Sequence, residues 1–136
     1  MSGATAVPDL HDVFTRYLAA WAARYPDAIV ALHTGDTTFT LRHRLPPIEG
    51  QAAVRAAFAD LLDRFPGFRS DVRDVRLGAR HWVLEWTLSF VVDAATGRRA
   101  GWDGLDLVVV SDDGLVARKD TYFDAAQAAR AGAVSS

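Results

Sequence analysis

Residues 104–124 read GLDLVVVSDDGLVARKDTYFD, and this stretch decides the architecture. Leu105, Leu107, Val108, Val109 and Val110 form an apolar, β-branched run that continues a strand from Arg99. Asp112-Asp113-Gly114 is a strong turn signal, and a second strand follows from Leu115 to Phe123. Two such runs around a tight turn predict an antiparallel hairpin. One residue is out of place: Asp106 stands where an apolar side chain is expected. A charge there needs a partner, a hydrated cavity or a proton.

Upstream of the hairpin, His81 to Val92 is a long strand with Trp82, Leu84, Trp86, Leu88 and Phe90 in one alternating row. Thr96-Gly97 turns it into the next strand, and Phe68 to Leu77 is a strand before it. The first third of the chain reads differently. Leu10, Val13, Phe14, Tyr17, Leu18 and Trp21 recur at helical steps, behind a Pro8-Asp9 start. Tyr25-Pro26-Asp27 begins a short second helix carrying Ile29 and Leu32, ended by Gly35-Asp36. Thr37 to Leu45 reads as a strand that Pro46-Pro47 stops. Gly50 precedes a third helix with Val54, Phe58, Leu61, Leu62 and Phe65, closed by Pro66-Gly67. Asp124 and AAQAARA predict a short terminal helix. Helices segregated from a run of strands indicate an α+β fold. A long, bent antiparallel sheet with helices on its concave side would enclose a pocket. The expected limits are a disordered lead over 1–7, one domain over 8–130 and a tail over 131–136.

Composition narrows the function. The chain has 136 residues, a net charge of −2 and no cysteine. One compact domain is expected. Thiolate nucleophiles, disulfides and cysteine zinc sites are excluded. Balanced charge gives no field for nucleic acid or an anionic membrane. No apolar run reaches the roughly 18–20 residues that span a bilayer, and the N-terminus lacks a signal-peptide pattern, so a cytoplasmic protein is expected. His11, His33, His43 and His81 are scattered without ligand spacing, and no metal or cofactor is expected. Phosphate-binding glycine loops and a serine-hydrolase elbow are absent.

The element order, together with TRYLAAW (15–21), DAIVALHTGDTTF (27–39), IEGQAAVRAAF (48–58), VLEWTLSF (83–90) and residues 104–124, resembles the nuclear transport factor 2-like superfamily. Its fold is a cone-shaped roll, a curved sheet wrapped around N-terminal helices. The closing GLVARKDTYFD looks most like the SnoaL-like polyketide cyclase branch, with ketosteroid isomerase-like features elsewhere. The resemblance implies a cofactor-free enzyme doing general acid–base chemistry on a hydrophobic carbonyl or polyketide-like molecule. Enolisation, cyclisation, isomerisation and dehydration are its reaction types. The alternative is a non-catalytic binding module or a dimeric interaction domain. A homodimer through the sheet is expected in either case.

The resemblance also assigns roles. Asp120 is similar to the general-base aspartate of the cyclases; an apolar pocket would raise its pKa and make it a better base. The competing reading pairs it with Arg118 or Lys119 at a sheet rim. Asp106 looks like the protonated aspartic acid of the isomerase oxyanion hole, which donates a hydrogen bond to a developing enolate. Tyr17 matches that hole's tyrosine, while its place beside Phe14 on the helix stripe also suits plain core filling. His33 stands at an otherwise apolar pocket position, as a second acid–base group or as a helix-end cap. Trp86 and Trp102 suit the walls of a flat ligand, with Phe14, Leu41 and Arg118 as further substrate-binding candidates. Two departures matter. The isomerase base would fall at Leu41, which takes no proton. Two members of an epoxide-hydrolase triad would fall at Trp86 and Leu88.

Overall fold

A computed structural model describes residues 9–42 and 44–132, so Pro8, His43, the expected 1–7 lead and most of the expected 131–136 tail lie outside the described residues. Helix α1 spans Leu10–Ala22, with Asp9 as N-cap accepting from the His11 N–H at 3.0 Å. It buries Val13, Phe14 and Tyr17. Helix α2 is Pro26–Val30, with proline in its first turn, and α3 is Gln51–Arg64. The strands are β1 His33–Leu41, β2 Arg44–Glu49, β3 Arg69–Leu77, β4 His81–Asp93, β5 Arg98–Val110 and β6 Val116–Phe123. Helix α4, Ala125–Arg130, follows, capped by Asp124. The fold is α+β, as expected.

The strands form one six-stranded sheet in the order β2-β1-β6-β5-β4-β3. All neighbours are antiparallel except β1 and β6, which run parallel. The long β4–β5–β6 meander is the centre of the sheet, and its inner face carries the core. Trp82, Leu84, Trp86, Leu88 and Phe90 of β4 are all buried there, as their alternation predicts.

Three local readings are corrected. The second helix ends at Val30 rather than at Gly35-Asp36. The Leu32 carbonyl already accepts from the Val116 N–H at 2.8 Å, so the chain has joined the sheet by then. Gly35 and Asp36 sit in an irregular stretch of β1, where the register shifts between His33 and Thr38. Secondly, the strand expected over Thr37–Leu45 turns at Arg42, and β2 returns through Pro46 and Pro47. Prolines are tolerated there because β2 is an edge strand. Thirdly, the sheet is not wholly antiparallel. The other edge, β3, carries Arg69, Asp71, Arg73, Asp74 and Arg76, charges that discourage edge-to-edge pairing.

Gly104 has a packing reason. A Cβ there would run into the Trp86 indole, so the ring lies flat across a backbone without side chain. This tryptophan is thereby laid along the inner wall of the sheet.

Candidate functional site

The inner face of the sheet, α1 and the end of α3 enclose a cavity of about 610 Å³, within the size range of small-molecule sites. Phe39, Leu41, Leu61, Phe68, Leu84 and Leu88 line it, with Trp21, Trp82, Trp86 and Trp102. Those four are every tryptophan in the chain. Asp106, Lys119 and Thr121 are polar groups in its β5–β6 wall, and Tyr17 meets Lys119 from α1.

Asp106 and Thr121 face each other across the β5–β6 ladder, as do Val108 and Lys119. Residues paired in this way share a face, so all four point inward. The Lys119 ammonium donates to Asp106 Oδ2 at 3.0 Å, and the Thr121 hydroxyl donates to Asp106 Oδ1 at 2.7 Å. Both side chains of the ion pair are only 8% exposed. The ammonium also lies 5.2 Å from the Tyr17 ring centroid and 5.0 Å from that of Trp21, held against two π faces. Burial opposes its charge, but the Asp106 carboxylate and Tyr17 more than offset this, and Lys119 is held above the ordinary lysine range. It is an ammonium at neutral pH.

Tyr17 is 2% exposed, and its hydroxyl lies 2.9 Å from His33 Nε2. His33 Nδ1 lies 2.8 Å from Thr37 Oγ1, and the Gln51 amide donates to the His33 carbonyl at 2.9 Å. Burial, seconded by Lys119, pushes the His33 imidazole down to about 3. It is therefore neutral and carries one ring proton, so one nitrogen donates and the other accepts. Burial also raises the Tyr17 phenol above its usual range, although Lys119 works against that. Tyr17 stays protonated at neutral pH.

Several expected residues meet here, and others do not. Tyr17, Leu41, Trp86, Trp102 and Asp106 line the cavity. His33 stands behind Tyr17, outside the lining. Phe14 packs edge-on to Trp82 at 5.3 Å, in the core rather than on the wall. Asp106, expected as a neutral acid, instead accepts from an ammonium and a hydroxyl, which suits a carboxylate. Asp120 and Arg118 fall away from the cavity. Asp120 pairs with Leu107 and Thr40, on the outer face of the sheet. Its Oδ2 accepts from Arg118 Nε at 2.8 Å, while its buried Oδ1 has no partner among the described residues.

The cause of that displacement is a bulge. From Gly104↔Phe123 to Val109↔Arg118 the ladder is regular, but Val110 then pairs with Val116. Ala117 is the extra residue. Parity counted forward from Val116 puts Arg118, Asp120 and Tyr122 inside; the bulge reverses it and turns Lys119, Thr121 and Phe123 inward. Lys119, the residue that sequence reasoning missed as a site group, was reachable by counting back from Phe123. Trp21 and Trp82 were likewise read only as core.

Among the described residues no three His, Asp or Glu side chains come together as a metal site, and no helix is long and apolar enough to cross a membrane.

A curved sheet with helices on its concave side, closed around an apolar cavity with an ion pair in its wall, is the architecture of the cone fold. A SnoaL-like domain matches residues 14–119, and the protein belongs to that family, within the nuclear transport factor 2-like superfamily. Two solved structures share the fold. An uncharacterised cystatin-fold protein from Novosphingobium aromaticivorans is 15% identical, with a TM-score of 0.70 over 83% of this chain and 97% of that one. TerC, co-crystallised with polyporic acid, is 16% identical, with a TM-score of 0.74 over 90% of this chain and 96% of that one. Among curated proteins no sequence matches.

Proposed function

We propose that the protein is a cofactor-free enzyme that enolises a hydrophobic carbonyl compound. The Asp106 carboxylate takes a proton from the carbon beside the carbonyl. The C–H electron pair moves into the new carbon–carbon double bond, and the carbonyl π pair moves onto oxygen. The Lys119 ammonium and the Tyr17 hydroxyl hold that enolate oxygen. The proton on Asp106 returns to a different carbon in an isomerisation; in a cyclisation the enolate carbon attacks a second carbonyl, whose π pair moves onto its oxygen, and that oxygen takes the proton from Asp106.

The observation that carries this reading is the Asp106–Lys119 pair, 3.0 Å apart and buried in the wall of an apolar cavity beside Tyr17. An ammonium bonded to its own base is poised for exchange. A ligand oxygen that draws Lys119 toward it leaves Asp106 a stronger base as charge develops. His33 positions the Tyr17 hydroxyl. With its proton on Nε2 it donates to Tyr17, accepts from Thr37 through Nδ1, and leaves the phenolic proton free for the ligand. Crystallisation of TerC with polyporic acid supports a small-molecule ligand for the fold.

The test is α-proton exchange of 2-tetralone in D₂O, followed by NMR. Exchange should exceed the buffer rate in proportion to protein. Asp106→Asn should lower the excess by roughly 10²-fold or more, and Lys119→Met by a similar factor. Binding without accelerated exchange would overturn the reading. It would favour the second one, a non-catalytic binding module, to which Leu41 at the isomerase base position lends support.

The proposal includes a homodimer through the outer face of the sheet. Tyr122 is 40% exposed there, under the Arg42 guanidinium at 5.2 Å, with Leu105 opposite it on β5 and Leu107 next on the same face. Light scattering at micromolar concentration should give twice the chain mass; a monomer would remove this part.

A further inference from the structure

The edge strand β3 keeps its apolar side chains on the cavity side although no helix fully covers them. Val72, Val75 and Leu77 are its apolar residues. They pair with Trp86, Leu84 and Trp82, which belong to the buried inner row of β4, so all three face inward. A bulge makes this possible. Val72↔Trp86 is followed by Asp74↔Glu85, so Arg73 is an extra residue and the alternation restarts one place later. Strict alternation from Val72 would have turned Asp74 and Arg76 inward instead. Yet Val72, held on the inner face and in the wall of the cavity, is still 46% exposed.

That combination marks where the cavity meets water. Ser70 pairs with Leu88, so it faces the same way; it too lines the cavity and is exposed. Across from β3, Ala22 in the last turn of α1 lines the cavity and is exposed as well. Ala22, Ser70 and Val72 are all small, and their size leaves the gap between α1 and β3 open. The opposite wall is shut. Asp106, Lys119 and Thr121 are all buried. From β6 to β3 the sheet order crosses β5 and β4, three strand spacings or about 14 Å. The floor along that path is apolar, made by Leu84 and by the Trp86 ring lying across Gly104.

We infer that the substrate is elongated and enters polar end first, with its carbonyl at Lys119 and Tyr17, its apolar body across Leu84 and Trp86, and its far end in water between Ala22 and Val72. This rests on the reading of the cavity as a small-molecule site and adds the substrate's shape and direction. Val72 and Ser70 are specificity residues under this inference. They limit how wide the substrate is where it leaves the protein, and they set no limit on its length.

The experiment titrates 4-ethylphenol and 4-octylphenol by calorimetry, each bare and each carrying a terminal tri(ethylene glycol) ether. The octyl chain should add up to about fourfold in affinity for each methylene that stays against the wall. The ether cap should cost 4-octylphenol little, because the end of that chain is already in water. It should weaken 4-ethylphenol about tenfold or more, because ether oxygens would then lie against Leu84 and Trp86 without partners. Val72→Asp should lower the octyl-to-ethyl affinity ratio by about fivefold, since the chain loses its apolar contact on leaving. Arg76→Asp, on the outer face of the same strand, should give the wild-type ratio. A cap that weakens both phenols alike, or neither, would overturn the opening at β3 alone, provided that 4-ethylphenol binding depends on Lys119. An unaltered ratio in Val72→Asp would do the same. Failure of every phenol to bind would overturn it together with the reading of the cavity.

Discussion

Replacing Lys119 by methionine should destabilise the fold sharply, and removing Asp106 as well should restore most of the loss. The two side chains are each 8% exposed and 3.0 Å apart. Methionine keeps the apolar stem but leaves the Asp106 carboxylate buried with Thr121 as its one remaining side-chain donor among the described residues. Breaking a buried ion pair from one side costs about 3–5 kcal/mol, because the remaining charge has lost its compensation. For a chain of this size about 3 kcal/mol lowers Tm by about 10 °C. The double variant Lys119→Met/Asp106→Leu removes both charges. It should lie within about 1–2 kcal/mol of the wild type, on either side, since buried pairs are often no better than apolar replacements. Urea denaturation of the wild type, both single variants and the double variant gives the coupling energy directly. A Lys119→Met protein as stable as the wild type would refute the reasoning, and so would a double variant as unstable as the single. Either would mean that the pair is solvated or formed differently.

Stability should fall with acid through His33. Its unfolded value is near 6.5 and its folded value about 3, so between these limits the unfolded chain binds a proton that the folded chain does not. The contribution is complete above pH 6.5 and is lost as pH falls toward 3, with a slope of up to about 1.4 kcal/mol per pH unit. Urea midpoints across that window should flatten in His33→Gln. Gly104→Ala should push Trp86 off the backbone it covers, at about 1–3 kcal/mol, and shift intrinsic fluorescence, which in this chain comes from cavity-wall indoles. Asp120→Asn should cost far less α-proton exchange than Asp106→Asn, because its side chain lies on the outer face with Arg118. Equal losses would return Asp120 to the chemistry.

Much of the architecture was legible because it is written in local alternation. The row from Trp82 to Phe90 can only be one face of a strand, and Asp112-Asp113-Gly114 can only be a turn. Tyr17 and Asp106 were legible as cavity residues because each sits on an apolar stripe, and the resemblance to a cone-fold family gave both a place. What was not legible depends on pairing between distant segments. Pro46-Pro47 reads as a stop until β2 is known to be an edge strand, where a missing N–H does no harm. The helix after Pro26 reads as longer until Leu32 is seen bonded to Val116. Ala117 is a bulge only because β5 has one residue fewer at that step. That single residue exchanges Asp120 for Lys119 in the wall and changes the chemistry from a lone base to an ion pair.

The central claim is that the cavity holds an oxyanion against Lys119 and Tyr17. The most direct measurement is the absorbance of bound 4-nitrophenol at a pH below its solution pKa. The account predicts that the yellow phenolate band appears as wild-type protein is added, and that it fails to appear with Lys119→Met. Binding of 4-nitrophenol as the colourless neutral phenol, alike in wild type and variant, would contradict it.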